Sequence, residues 1–480
     1  MGNSLASVVE QQLANENTFS ETRATRQRYG ILWILAAALA LRLAVLFLGS
    51  NKGLFYPDEF EYAELAKNLA THNEFSYKGQ INSFRPPGFP FIMSLAFRLS
   101  GSTSPVPARL LQVLLSVATV WVMYHLGKDG WGERVGRIAA AIFAFYPTFI
   151  GYTNILLTEL SCIFFVSLFC WMMLRCLQKP NFGWAVAAGA ALGVCALIRD
   201  TLFYAGPIMT VFLGLWGWRA RRSFLKPAAI FAGSFILTIL PWCVRNTALN
   251  GQPTLISSVG GITFYLCNNE KAPLIRSSSL FYEKQIGEEY YYETLLPELN
   301  GLSETEKNDI VTRMAFEYML ANPGATIIRM LGRFVDFWGQ ERLVINHLVS
   351  GYYGNLPSTL TMMLMAAVIG GYSLIMAGAC IGCFFSRLRA FEIFGFIFIA
   401  YYTAMHLLVF AHPRYHLPLL PLIILIAARA YADRAAIIKN WRTRQFAGAA
   451  GLFIVFVVMW IIGLFVFDAS YLEKFMQRLG

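Results

Sequence analysis

Two adjacent carboxylates, Asp58 and Glu59, open the run Tyr56-Pro57-Asp58-Glu59-Phe60-Glu61-Tyr62 just after the first long apolar stretch of the chain. Paired acids at that place can take a proton from a nucleophile or can simply begin a helix. Asp58 suits an N-cap, with Glu61 three residues on completing a capping box for a helix through about Ala70. The two roles are compatible, because a cap holds its carboxylate at a fixed helix entrance. Downstream, Phe84-Arg85-Pro86-Pro87-Gly88-Phe89-Pro90 places Arg85 on a corner stiffened by paired prolines, with Gly88 free to make a tight turn. A snorkelling arginine at a membrane surface is the plain alternative for Arg85.

Further charges stand in unusual surroundings. Glu159, in Leu157-Thr158-Glu159-Leu160, falls about two turns inside an apolar stretch, where an acid is costly unless paired or facing a wet cavity. Arg199 and Asp200 occupy a short connection and can pair with each other. Arg245 and Asn246 end another apolar stretch, and Arg414 and Tyr415 lie in His412-Pro413-Arg414-Tyr415-His416 before the next one. Acids beside several arginines suggest a proton acceptor next to an anion clamp, since the planar guanidinium fork matches phosphate.

The elements that must position these residues follow from composition. The chain has 480 residues, of which 56% are hydrophobic and 14% charged. Soluble domains carry about 45–50% apolar and about 25% charged residues, so an ordinary cytosolic enzyme, a disordered chain and a secreted disulfide scaffold are excluded. At about 20 residues per crossing there is room for about ten spans and some external chain. Apolar runs predict spans near 30–49, 106–126, 137–151, 153–175, 183–198, 202–218, 227–244, 357–384, 391–410, 415–431 and 447–467. The predicted fold class is therefore an all-α polytopic membrane bundle of about eleven helices.

The net charge of +11 reflects topology and not nucleic acid, for which no basic reading helix or aromatic platform is present. Basic residues collect in alternate connections: Lys128, Arg134 and Arg137; Arg175 and Lys179; Arg219, Arg221, Arg222 and Lys226; Arg387 and Arg389; Arg434, Lys439, Arg442 and Arg444. By the positive-inside rule the N-terminus is cytoplasmic and the C-terminus external. The expected organisation is a cytoplasmic tail 1–29, a catalytic membrane module 30–246 with a first external loop 50–105, an external domain 247–356, membrane helices 357–467 and an external tail 468–480. Within the external domain, Ser303 and Glu306 form a capping box for a helix that stops at Asn322-Pro323-Gly324. The segment Ala325 to Trp338 reads as an amphipathic helix at the membrane surface. Every singled-out charge then falls at the external leaflet.

Pro57-Asp58-Glu59 after the first span is similar to the acidic motif of the GT-C glycosyltransferases. The nearest types are the dolichyl-phosphate-mannose protein mannosyltransferases and the bacterial aminoarabinose transferases acting on lipid A. Arg85-Pro86-Pro87-Gly88 resembles the basic Pro-Pro-Gly segment of their first loop, although the aminoarabinose enzymes have a lysine beside it. Pro241-Trp242 with Arg245-Asn246, Asn322-Pro323, and Arg414-Tyr415 with Pro418 and Pro421 also fall where these families place similar residues.

This resemblance implies an enzyme that uses a polyprenyl-phosphate-linked sugar on the extracytoplasmic face, usually with inversion, in the bacterial inner (plasma) membrane. Asp58 is the implied base and Glu59 its neighbouring acid. Arg85, Arg199, Arg414 and Tyr415 are the candidate donor-phosphate ligands; Glu159, Arg245 and Asn246 are candidate acceptor or cavity residues. The acceptor is an envelope lipid, glycan or protein. The resemblance implies no particular cofactor; the six histidines show no metal-ligand spacing, and the acids leave room for a divalent metal on Glu59 or Glu159. Two rival readings stand beside this one: a lipid-linked sugar flippase or transporter, and an O-antigen ligase or polymerase. The first would call for repeated halves and the second would need no acidic pair after the first span.

Overall fold

The computed structural model describes residues 30–49, 52–219, 225–274, 294–354, 356–385 and 387–467. The expected tails 1–29 and 468–480 lie outside them, as do Arg221 and Arg222. The membrane bundle is built from α1 (Gly30–Gly49), followed by a loop carrying α2 (Pro57–His72) and α3 (Gly88–Ser100), then α4 (Pro105–Trp131), α5 (Glu133–Phe145) and α6 (Pro147–Gly151). Next come α7 (Glu159–Gln178), α8 (Phe182–Ile198), α9 (Ala205–Arg219) and α10 (Leu225–Asn250). The second long loop carries α11 (Gly260–Cys267), α12 (Glu304–Ala321), α13 (Pro323–Phe337) and α14 (Leu343–Val349). The chain then returns through α15 (Ser358–Phe385), α16 (Ala390–Leu408), a 3-10 turn Pro413–Leu419 continuing as α17 (Leu420–Ala432), and α18 (Arg444–Ile462).

The eleven predicted apolar segments fall mainly on helices, although 153–175 and 202–218 begin in 3-10 and irregular backbone. Among the described residues eight helices are long and apolar enough to cross a membrane, nine if the bent pair α5–α6 is one span. The 55° bend comes at Tyr146-Pro147. Proline has no N–H to continue the helix and pushes the preceding residue toward extended backbone, as Tyr146 shows with φ −68° and ψ 117°. The bundle's outer faces carry Phe47, Val211, Leu237 and Ile454, each more than half exposed, as lipid-facing surfaces require.

Buried arginines tie the helices together at carbonyls rather than acids. Arg42, inside α1, donates to Ser116 Oγ of α4 and to the Ala144 carbonyl at 2.8 and 2.9 Å. Arg109 of α4 donates to the carbonyls of Gly49, Lys52, Gly53 and Asn154, which fixes where the chain leaves α1 and enters the first external loop.

Within that loop, Ser76–Tyr77 and Gln80–Ile81 pair as a two-residue antiparallel hairpin. Its turn residues, Lys78 and Gly79, both have positive φ (50° and 76°), the backbone a tight two-residue hairpin demands. In the second loop α11 packs on α12 through Ile262, Phe264, Tyr265, Val311 and Ala315, and Phe84 of the first loop joins this small core. The Ser303–Glu306 capping box opens α12, with Glu306 Oε2 accepting from the Ser303 N–H at 2.8 Å.

The amphipathic helix α13 is inside out. Ile327, Ile328 and Leu331 point outward, 50–63% exposed, while Arg329 and Arg333 are buried at 3%. Arg333 donates to the carbonyls of Leu407, Leu408 and Cys267 and to Asn268 Oδ1; Arg329 donates to those of Asn269 and Ala272. The arginines thus staple α13 to the ends of α11 and α16, leaving its apolar stripe to face lipid or the loop's surroundings.

Candidate functional site

The N-terminus of α2 is set two residues earlier than a cap at Asp58 would place it. Tyr56 is the N-cap and Pro57 the first helical residue, whose ring presets φ for a helix start. The acid that serves the helix entrance is Glu59, not Glu61. Its Oε2 accepts from the backbone N–H groups of Phe55 and Tyr56, both at 2.8 Å, and its Oε1 from that of Leu156 at 2.7 Å. Burial pushes the Glu59 carboxyl above its ordinary value, against the pull of those three N–H donors. Glu59 is therefore a buried clasp between the first loop and the segment before α7.

Asp58 is left free to face the site. Its Oδ1 accepts from Arg85 Nη2 at 3.1 Å and its Oδ2 from Arg414 Nη2 at 2.8 Å. Burial opposes the charged form, but Arg414 and Arg85 outweigh it and hold the carboxyl down to about 2. Glu61, which the sequence offered only as a cap partner, binds the same Arg85 Nη2 at 2.6 Å. Its signal was spacing: three residues after Asp58, it shares a helix face with it.

Arg85 owes its place to two fixings. Its N–H donates to Asn82 Oδ1 at 3.0 Å, and Gly88 lets the Pro-Pro corner press against the end of α8. A Cβ on Gly88 would sit 2.7–2.9 Å from Ile198 Cγ1, the Leu197 carbonyl and the Ile198 nitrogen. Gly88 is needed for this close approach, which differs from the tight turn its sequence context suggests.

Glu159 is not two turns inside a span; it is the first residue of α7. Residues 152–158 are a 3-10 turn and irregular backbone. Their polar groups are taken by others: Arg109 binds the Asn154 carbonyl, Gln112 the Ile155 carbonyl and Glu59 the Leu156 N–H. The acid thus sits at a helix N-terminus, where the peptide dipoles favour a negative charge. It is 1% exposed, and its Oε1 lies 2.6 Å from Arg199 Nη2 and 3.8 Å from Arg414 Nε. Arg199 accordingly pairs with Glu159 and not with its neighbour Asp200, which accepts from Ser257 Oγ and the Thr201 N–H.

The result is an alternating chain of charge: Glu61, Arg85, Asp58, Arg414, Glu159, Arg199. Tyr415 lies against it, with the Arg199 and Arg414 guanidinium carbons 4.7 and 5.1 Å from its ring centre and Arg414 Nη2 3.3 Å from its hydroxyl. Tyr402 Oη accepts from Arg199 Nη1 at 3.3 Å. Nothing in the apolar run around Tyr402 marked it in the sequence.

Arg245 and Asn246 bond elsewhere. Arg245 donates to the Asn82 carbonyl at 2.7 Å, and the buried Asn246 to the carbonyls of Leu255 and Ile256. Arg245 thus braces the Asn82 corner that holds Arg85, while Asn246 ties α10 to the loop that follows it. Among the described residues no group of three His, Cys, Asp or Glu side chains is placed to hold a metal ion.

Residues 84–244 match the dolichyl-phosphate-mannose-protein mannosyltransferase family, a segment that contains Arg85, Glu159 and Arg199. A 192-residue stretch is 28% identical to the putative mannosyltransferase YkcB of Bacillus subtilis, covering 38% of this chain and 26% of that protein. The fold is similar to that of the oligosaccharyltransferase AglB from Archaeoglobus fulgidus, solved with an inhibitory peptide and a dolichol-phosphate. The TM-score is 0.51 at 15% identity, over 94% of this chain and 56% of AglB. ArnT from Cupriavidus metallidurans, solved with undecaprenyl phosphate, aligns with a TM-score of 0.43 at 14% identity over 86% of this chain and 79% of ArnT. The chain spans about a quarter of the curated relative and just over half of AglB. The chain thus shares its polytopic helical fold with AglB and carries, over residues 84–244, a segment similar to the dolichyl-phosphate-mannose-protein mannosyltransferases.

Proposed function

We propose that the protein is a membrane glycosyltransferase that moves a sugar from a polyprenyl-phosphate donor to an envelope lipid, glycan or protein, on the extracytoplasmic face, with inversion. The observation that carries this reading is that one carboxylate, Asp58, sits between two arginines at one end of a membrane bundle. In this reading the proton acceptor and the phosphate clamp belong to one cluster of charge. The family match supports the donor class.

In the proposed step an acceptor oxygen attacks the anomeric carbon from the face opposite the phosphate. The carbon–oxygen bond to phosphate breaks, and its electron pair stays on the phosphate oxygen. The acceptor's proton passes to Asp58, leaving glycoside, polyprenyl phosphate and a protonated carboxyl. Arg85, Arg414 and Arg199 meet the charge that grows on the leaving phosphate, the kind of preorganised stabilisation that dominates such reactions. Phosphate leaves readily, so no general acid is needed, unlike the paired carboxylates of soluble glycosidases. A base in this position contributes about 10²–10⁴-fold. Glu59 and Glu159 position the loop and the arginines.

The test is a donor panel. Purified protein in lipid is offered several polyprenyl-phosphate sugars with an envelope extract as acceptor, and products are read by mass spectrometry. Consumption of one donor with release of polyprenyl phosphate is expected. Passage of the labelled lipid across the bilayer unchanged would instead make this a flippase.

A further inference from the structure

Each oxygen of Asp58 is engaged by a different guanidinium, Oδ1 by Arg85 and Oδ2 by Arg414. A carboxylate bridged in this way is a poor acceptor for a hydroxyl proton, because protonating either oxygen breaks a charge-assisted bond. Yet the same two guanidiniums are the ones a donor phosphate would seek. Both have a second acid to hold them once Asp58 lets go: Glu61 lies 2.6 Å from Arg85 Nη2, and Glu159 lies 3.8 Å from Arg414 Nε. Arg85 also keeps a donor in reserve. Its Nε is shielded from solvent and has no hydrogen-bond partner among the described residues, so the fork is incompletely used as it stands.

We infer that the donor's phosphate arms the base by exchange: it takes Arg85 and Arg414 from Asp58, and only then is the carboxylate released toward the acceptor. This rests on the donor reading above and adds to it a rule of order. Before donor binds, Asp58 neutralises the clamp; after it binds, the phosphate does, while Glu61 and Glu159 keep the arginines in position. Phosphate and Asp58 are then competitors for one pair of guanidiniums. The consequence runs against intuition: removing the catalytic charge tightens the donor's grip.

The experiment measures binding of undecaprenyl phosphate to the full-length purified protein in detergent, for wild type, Asp58→Asn and Glu61→Gln. Asp58→Asn is expected to bind at least tenfold more tightly than wild type. Glu61→Gln removes a charge of the same sign from the same cluster, but one that anchors Arg85 and is not displaced by the phosphate, and is expected to bind no more tightly than wild type. Undecaprenol, which lacks the phosphate, is expected to bind all three alike. Should Asp58→Asn fail to purify as a folded protein, Asp58→Ser carries the same comparison. Equal or weaker binding by the Asp58 variant overturns the exchange, as does an equal gain in Glu61→Gln or a gain seen with undecaprenol. Failure of every protein to bind undecaprenyl phosphate overturns the donor reading itself.

Discussion

Asp58 and Glu59 are neighbours in sequence whose carboxylates do opposite work. Asp58 reaches two guanidiniums, whereas Glu59 turns inward and accepts from three backbone N–H groups on two separate segments. The helix entrance is built by one acid, so the other is free for chemistry.

Glu59→Ala is accordingly expected to cost stability. Three backbone donors, two of them buried, lose their acceptor, a loss of about 3 kcal/mol or more. Glu59→Gln, which retains one acceptor oxygen, should cost less. Thermal unfolding in detergent checks the order wild type, Gln, Ala; an unchanged midpoint for the alanine variant would contradict it.

Arg199 and Glu159 form a pair in which one side chain is 10% and the other 1% exposed. Removing one partner of a buried pair typically costs about 3–5 kcal/mol, because the remaining charge is stranded. Arg199→Met should therefore destabilise strongly, and adding Glu159→Gln should recover part of the loss. A double-mutant cycle that gives no coupling would show that the pair is not formed.

Gly88 sets the distance between the first loop and the end of α8. Gly88→Ala should cost about 1–3 kcal/mol by overpacking against Leu197 and Ile198. It should also lower donor affinity, since Arg85 moves with the corner. Unfolding midpoint and undecaprenyl phosphate binding are the two measurements.

Asp58 also leaves a mark on stability. Its folded value, about 2, lies below the ordinary value of about 3.9 for Asp. The stabilisation is then full above about pH 4 and is lost as pH falls toward 2. The gap in melting temperature between wild type and Asp58→Asn is expected to stay constant from pH 5 to 8 and to shrink below pH 4.

A large part of this arrangement was legible in the sequence, and the reasons differ by element. Long apolar runs with alternating basic connections led to the helices, because lipid forces backbone polar groups into helices. Ser303 and Glu306 marked α12 because a capping box is local chemistry. Asp58, Arg85, Glu159 and Arg414 were recognisable as charges in costly places. What was hidden depended on contacts remote in sequence. The unwinding before α7 needs Arg109 and Gln112 of α4, so Glu159 was placed too deep. The preference of Arg199 for Glu159 over adjacent Asp200 is likewise set by helix packing. The burial of Arg329 and Arg333 of α13 against backbone carbonyls could not be read from its pattern either, since their partners lie far away in sequence.

The central claim is that Asp58 is the base for transfer from a polyprenyl-phosphate donor. The most direct measurement is single-turnover transfer at saturating donor, with wild type and Asp58→Asn compared on the donor that the panel identifies. Bond formation to the acceptor is expected to slow by about 10²–10⁴-fold while donor remains bound. Transfer at the wild-type rate in Asp58→Asn would remove Asp58 from the chemistry.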